Sequence, residues 1–114
     1  MSINNNVEIK NDENIDDLQL NGLMLIQKKD GFKFGVDAVL LSDFANVKKK
    51  HKVIDLCTGT GIIPFLLYGK YNPSSIKGIE IQEDMVEMAN RSVELNKINN
   101  IEFIHSDLKD IKFL

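Results

Sequence analysis

Short apolar runs and longer amphipathic stretches alternate through the second half of the chain. Residues 53–56 form an apolar run with two β-branched members, which is typical of a strand covered on both faces. From residue 61 to about residue 70 an apolar stretch predicts a helix, in which Pro64 is tolerated because it falls in the first turn. This order of strand and helix predicts the start of a parallel α/β sheet.

The same alternation continues along the chain. Residues 76–81 favour a second strand that ends near Glu80, and residues 83–97 carry an apolar stripe at helical spacing. After a break at two asparagines, residues 101–104 favour a third strand. Strands that alternate with helices pair in parallel through right-handed crossovers. The predicted fold class is therefore α/β, with three parallel strands that make up half of an open sheet.

Three segments are predicted along the chain. Residues 1–16 are polar, and we expect them to form a mobile N-terminal arm. Residues 17–50 are expected to form a β-hairpin followed by a helix. Residues 51–114 are expected to contain the half-sheet described above.

Two local signals predict the hairpin and the helix. An Asp-Gly pair, Asp30 and Gly31, separates apolar runs at residues 23–27 and 32–34, and glycine accepts the positive φ that a tight turn requires. Apolar residues then recur at helical spacing, which predicts one face of a helix. The residues on that face are Val36, Val39, Leu40 and Phe44.

Composition excludes some classes of function. A chain of 114 residues makes about one domain. Its net charge of −3 gives no general support for nucleic-acid binding, although a local basic patch is compatible with it. The single cysteine, Cys57, cannot form an internal disulfide, which fits a reducing, cytoplasmic compartment. We expect neither a membrane span nor a metal site, because no apolar run approaches about 20 residues and no His pair has metal-ligand spacing.

Lysines at positions 48–50 and 52 form a charged connector before the first strand of the half-sheet. A solvated surface is the favoured interpretation, because runs of like charge usually face water. Contact with RNA phosphates is the alternative.

The most informative motif follows that first strand. Asp55 lies at the strand end, and Gly59 and Gly61 punctuate the turn before the helix. A dinucleotide fingerprint needs a third glycine at position 64, where this chain has Pro64. The motif therefore disfavours a pyrophosphate ligand and an NAD-dependent oxidoreductase. Cys57 has no recognisable partner base, and we expect it to be a small residue packed under the loop.

Acidic residues lie at three consecutive strand ends. Asp55 can offer a carboxylate to an ammonium group, or it can merely cap a turn. Glu80 can accept hydrogen bonds from both hydroxyls of a ribose, and Asp107 is within reach of an adenine amine. Because the carboxyl ends of parallel strands meet at one edge of a sheet, these carboxylates should line one crevice. That crevice suits a small cation that carries a ribose.

Residues 53–108 resemble the class I S-adenosylmethionine-dependent methyltransferases. The family's glycine loop reads Asp-Leu-Gly-x-Gly-x-Gly, and this chain has Cys57 at the first of those glycines. Upstream, Ile26-Gln27 and residues 31–34 and 37–41 are similar to the N-terminal signature of the bacterial tRNA(Val) adenine-N6 methyltransferase subgroup. The resemblance implies a Rossmann-like fold, S-adenosylmethionine as cofactor and tRNA as partner.

The resemblance and the strand-end motifs together predict a set of cofactor-binding residues. These are Phe34, Asp37, Asp55, Cys57, Thr58, Gly59, Gly61, Glu80, Ile81, Asp107 and Leu108. In that subgroup the segment before the first strand helps to close over the cofactor, which is why Phe34 and Asp37 belong to the set.

One departure from the family concerns the motif that holds the methyl-accepting amine of the substrate. The family carries Asn-Pro-Pro followed by Tyr or Phe after its fourth strand, and the prolines of this chain, Pro64 and Pro73, are not adjacent. We therefore assign no catalytic residue and expect the chain to be a cofactor-binding half, cut before that motif. Methyltransferases of the same class that act on rRNA or on protein glutamine share these motifs. A non-catalytic cofactor-binding or assembly module, which self-associates through its exposed sheet edge, is a further alternative.

Overall fold

The computed structural model describes residues 7–30 and 36–110. Within these ranges the elements follow in the order β1 (Glu13–Asp17), β2 (Met24–Lys28), α1 (Val36–Phe44), β3 (Lys52–Leu56), α2 (Ile62–Tyr71), β4 (Ser75–Glu80), α3 (Glu83–Leu95), β5 (Ile101–His105) and a short 3₁₀ helix (Leu108–Asp110). No helix of the described part of the chain is long and apolar enough to cross a membrane.

The α/β prediction for the second half of the chain is confirmed. Strands β3, β4 and β5 form a parallel sheet in that order, joined by α2 and α3. The register aligns Asp55, Gly78 and Phe103 across the three strands. Helices α2 and α3 cover the face that carries these residues, because Phe65 and Ala89 pack with Phe103 in one buried cluster. Because the three strands are parallel, their carboxyl ends lie at the same edge of the sheet.

The hairpin differs from the one that was predicted. Strand β2 pairs in antiparallel fashion with β1, which precedes it in the chain. The predicted partner at residues 32–34 and the second residue of the Asp30-Gly31 turn lie outside the described residues. The predicted mobile arm is wrong for residues 13–16, which belong to β1 and include the buried side chain of Glu13.

Helix α3 holds the hairpin through the free edge of β2. The backbone N–H of Ile26 donates to Ser92 Oγ at 2.9 Å, and the backbone N–H of Met24 donates to Asn96 Oδ1 at 2.9 Å. Asn96 Nδ2 in turn donates to the Met24 carbonyl at 2.7 Å. Side chains of a helix thus take the place of a third strand and satisfy an edge that would otherwise be unpaired.

Helix α1 is confirmed as a helix, but its predicted apolar face is largely exposed. Leu40 is 48% exposed and Phe44 is 81% exposed. The helix is held instead by polar contacts from α2. Lys70 Nζ donates to the Val39 carbonyl at 3.2 Å, and Tyr71 OH donates to the Ser42 carbonyl at 3.1 Å. These donors tie the second half of α1 to the end of α2.

Candidate functional site

The loop between β3 and α2 has an unusual backbone. Cys57, Gly59 and Gly61 all have positive φ, at 60°, 61° and 90°. At Gly59 an added Cβ would meet no atom within 4 Å, so the loop faces open space there. The left-handed conformation at position 57 explains why glycine suits that position and why cysteine is tolerated there only with some strain.

Hydrogen bonds fix this loop against the ends of the strands. Thr58 is buried, and its backbone N–H donates to the Ile79 carbonyl of β4 at 2.9 Å. Its hydroxyl donates to Asp55 Oδ2 at 2.7 Å. Gly61 N–H closes the turn by donating to the Thr58 carbonyl at 3.0 Å. Thr58 therefore holds both the loop and the carboxylate at the end of β3.

Glu80 connects the loop to the next strand end. Its side chain is 6% exposed, and Oε1 accepts a hydrogen bond from the Gly59 N–H at 2.9 Å. Oε2 accepts one from the Gln82 N–H at 3.1 Å. Its backbone carbonyl accepts from the Ser106 N–H at 2.9 Å, which ties β4 to the end of β5. Glu80 thus connects the loop after β3 with the turn after β4 and the end of β5.

The site carries negative charge from Asp55 and Glu80. Burial raises the pKa of Asp55, and the hydrogen bond from Thr58 only partly opposes that rise. Among the described residues, neither Asp55 nor Glu80 forms an ion pair with a lysine, arginine or histidine. A half-buried carboxylate without a charged partner favours the binding of a cation, which would compensate for the lost hydration.

Asp107 is oriented by the turn that follows β5. Its Oδ1 accepts a hydrogen bond from the Lys109 N–H at 3.0 Å, and Lys109 Nζ lies 3.8 Å from its Oδ2. Close to these strand ends in the sequence are two exposed apolar side chains, Ile81 at 57% and Leu108 at 43%. Exposed apolar side chains beside a polar crevice are suited to contact with an aromatic base.

Only some of the predicted cofactor-binding residues are linked to one another by hydrogen bonds. Asp55, Thr58, Gly59 and Glu80 are linked by the hydrogen bonds described above. Phe34 lies outside the described residues, and the backbone of Asp37 belongs to α1. Cys57 is exposed, so the expectation that it packs under the loop is wrong.

Sequence reasoning missed the support beneath the loop. The Phe103 ring contacts the backbone at Gly61 and Gly78, where an added Cβ would lie 2.5 Å from ring atoms. The same ring packs 5.8 Å from that of Phe65. A glycine inside an apolar strand often marks such a close approach, so Gly78 was the available signal. In the described part of the chain no three His, Cys, Asp or Glu side chains form a group that could hold a metal.

Comparison with known proteins gives one family match. A family described as a methyltransferase domain matches residues 47–114. An uncharacterized RNA methyltransferase of Mycoplasma mobile is 40% identical over 74 residues, which cover 65% of this chain and 19% of the relative. The tRNA1(Val) (adenine(37)-N6)-methyltransferase of Phocaeicola vulgatus is 36% identical over 61 residues, 54% of this chain and 26% of the relative.

Similarity extends to a protein-modifying enzyme and to a solved structure. The release factor glutamine methyltransferase of Aliivibrio fischeri is 37% identical over 51 residues, 45% of this chain and 18% of the relative. The chain thus spans well under a third of these curated relatives. The structure of M. jannaschii TYW2 in complex with AdoMet has a TM-score of 0.75 at 19% identity, covering 90% of this chain and 47% of that chain. This likeness confirms the fold.

Proposed function

Because the chain belongs to the methyltransferase domain family, we propose that it is the S-adenosylmethionine-binding part of an enzyme that methylates the exocyclic amine of adenine in tRNA. The observation that carries the cofactor assignment is the link between Asp55, the Gly59 loop and Glu80, two acids that form no ion pair with any described residue. S-adenosylmethionine, when bound, supplies a methyl group on a cationic sulfur.

The residues present fit this cofactor. Each oxygen of Glu80 accepts one backbone N–H and keeps a second lone pair, so both can accept hydrogen bonds from ribose hydroxyls. Asp55 is placed to attract the ammonium group, and the open space at Gly59 lets a ligand approach the backbone. In this proposal Ile81 and Leu108 flank the adenine ring, and Asp107 accepts a hydrogen bond from its amine.

The proposal that an adenine of tRNA accepts the methyl group is supported by weaker observations. Relatives named as tRNA1(Val) (adenine(37)-N6)-methyltransferases from two organisms match the chain at 35–36% identity. Within the subgroup signature, Ile26 and Gln27 are buried in the hairpin, where Gln27 Nε2 donates to Asp16 Oδ2 at 2.8 Å. These two residues therefore support the fold. Methylation of a protein glutamine is the main alternative, since a release factor methyltransferase also matches.

A second candidate function is that of an assembly module. Strand β3 is an edge of the sheet, and its side chains Ile54 and Leu56 are 44% and 55% exposed. An apolar edge strand is a surface on which another strand can pair. Light scattering over a range of protein concentrations separates the two proposals, because a concentration-dependent dimer favours assembly and a monomer opposes it.

Calorimetric titration with S-adenosylhomocysteine tests the cofactor assignment. We expect saturable binding that is lost in the Asp55→Ala/Glu80→Ala variant. Glu102→Gln, which changes an exposed acid of β5, is the matched control and should bind normally. NAD should not bind. Absence of binding by a sample that shows a cooperative circular-dichroism melt would overturn the assignment.

A methylation assay tests the expectation about activity. This chain lacks the Asn-Pro-Pro acceptor motif, so we expect it to transfer no methyl group to tRNA on its own. Detectable transfer from labelled S-adenosylmethionine by the purified chain would show that the acceptor site is built from other residues.

A further inference from the structure

Four lysines form an exposed basic segment immediately before and at the start of β3. Lys48, Lys49, Lys50 and Lys52 are all exposed. None of the four forms an ion pair with another described residue. In a chain with a net charge of −3 this is a concentration of positive charge, which we call the lysine turn.

The lysine turn has a defined backbone. The His51 N–H donates to the Lys48 carbonyl at 2.9 Å, and His51 Nδ1 accepts a hydrogen bond from the Lys48 N–H at 3.0 Å. The Ser74 N–H donates to the His51 carbonyl at 2.9 Å, which fastens the turn to the segment before β4. The lysines are therefore attached to an anchored backbone, so a ligand that binds them does not have to order the turn itself.

The lysine turn lies at the opposite end of β3 from the cofactor crevice. A strand rises about 3.3 Å per residue, so Lys52 and Asp55 are about 10 Å apart and Lys48–Lys50 extend farther in the same direction. A ligand confined to the crevice does not reach this surface. A polyanion that is longer than the strand can contact both ends.

We propose that the lysine turn is a docking surface for the phosphate backbone of a structured RNA whose reactive base enters the crevice. The proposal rests on the proposed function and deepens it, because it favours RNA over a protein substrate. Lysines that neutralise phosphates supply sequence-independent affinity and leave base selection to the crevice. Contacts on two faces of the chain would orient the RNA relative to the cofactor.

Fluorescence anisotropy with a labelled tRNA transcript and the full chain tests the proposal. In the Lys49→Gln/Lys50→Gln variant we expect binding at low salt to weaken at least about fivefold. The slope of log K against log salt should fall in magnitude by roughly 1.4–1.8, the value for two lost phosphate contacts. The matched control is Lys29→Gln/Lys97→Gln, which removes two exposed lysines that also form no ion pair with a described residue and should weaken binding less than about twofold.

Several outcomes would overturn the inference. Equal losses of affinity in the two double variants would mean that diffuse positive charge attracts the RNA. If the chain bound no RNA at all, the lysine turn would not be an RNA-docking surface. Tighter binding to phosphatidylserine vesicles than to tRNA, lost in Lys49→Gln/Lys50→Gln, would assign the turn to a membrane. The S-adenosylhomocysteine titration keeps the two proposals separate. Cofactor binding without RNA binding overturns only this inference, whereas RNA binding at the turn without cofactor binding overturns only the cofactor assignment.

Discussion

Two acidic side chains, Glu13 in the hairpin and Glu80 at the end of β4, are almost equally buried, at 4% and 6% exposure. Glu13 faces a full positive charge, because Arg91 Nη1 and Nη2 donate to its two carboxylate oxygens at 2.7 Å each. The Arg91 hydrogen bonds lower the pKa of Glu13 to about 2. Glu80 accepts hydrogen bonds only from backbone N–H groups among the described residues.

The difference separates an acid that stabilises the fold from one that is available to a ligand. The Arg91 guanidinium engages both oxygens of Glu13 in bidentate geometry, and Glu13 Oε1 also accepts the Lys10 N–H, so little capacity is left for a ligand. At the crevice, by contrast, burial raises the pKa of Asp55 and no described cation compensates. Equal burial therefore does not mean equal function, and the partner of each carboxylate distinguishes the two regions.

Breaking the hairpin pair should have the largest effect. Arg91→Leu leaves the Glu13 carboxylate buried without its counter-charge, and removal of one partner of a buried pair costs about 3–5 kcal/mol. We expect a correspondingly lower free energy of unfolding in urea, large enough to unfold a marginally stable chain. Glu13→Leu/Arg91→Leu should regain much of the loss, because apolar residues can replace a buried pair.

The control for that experiment is an exposed pair on the same surface. Lys10 Nζ lies 3.5 Å from Glu87 Oε1, with side chains that are 46% and 47% exposed. Lys10→Gln should change stability by less than about 1 kcal/mol. A small effect of Arg91→Leu, similar to that of the control, would contradict the assignment of Glu13 as a structural acid.

The pair between Glu13 and Arg91 should also make the stability of the chain depend on pH. The folded pKa of Glu13, about 2, lies below its ordinary value of 4.5, so its contribution is fully present above pH 4.5 and is lost as pH falls towards 2. We expect Glu13 to account for a loss of about 3 kcal/mol across this window. Urea unfolding at several pH values should show a flatter profile for Glu13→Gln. Parallel profiles for the two proteins would argue against the pair.

The placement of Asp55 and Glu80 at strand ends could be predicted from sequence because its determinants are local. Asp55, the two glycines of the loop and Glu80 stand at strand ends that short apolar runs reveal. Strand β1 could not be predicted in the same way, because Glu13–Asp17 is a polar segment without clear alternation. Its buried acid is satisfied by Arg91, which lies 78 positions away in the chain. The exposed face of α1 was also missed, since spacing predicts a helix but not what covers it.

At the crevice, a change of Glu80 should reduce ligand binding more than stability. Glu80→Gln keeps an oxygen that can accept the Gly59 N–H, but it removes the charge and one acceptor. Hydrogen bonds to a charged group contribute about 1.5–3 kcal/mol, so S-adenosylhomocysteine binding should weaken about 10-fold or more. Calorimetry measures this directly, and Glu102→Gln is again the control. Unchanged affinity would mean that Glu80 only supports the loop.

The smallest expected effect is that of a change at Asp55, which should raise the stability of the chain and lower its affinity for the cofactor. The folded pKa of Asp55 is raised, so its ionisation opposes folding as pH rises above its ordinary value near 3.8. Asp55→Asn removes this penalty and keeps an oxygen that accepts the Thr58 hydroxyl. We expect the cofactor-free chain to gain stability on the order of 0.5–1 kcal/mol at neutral pH, while cofactor affinity falls. Urea unfolding and calorimetry on the same variant measure the two effects. Loss of both stability and affinity would place Asp55 with Glu13 as a structural acid, because a carboxylate retained for a ligand should be dispensable to the fold.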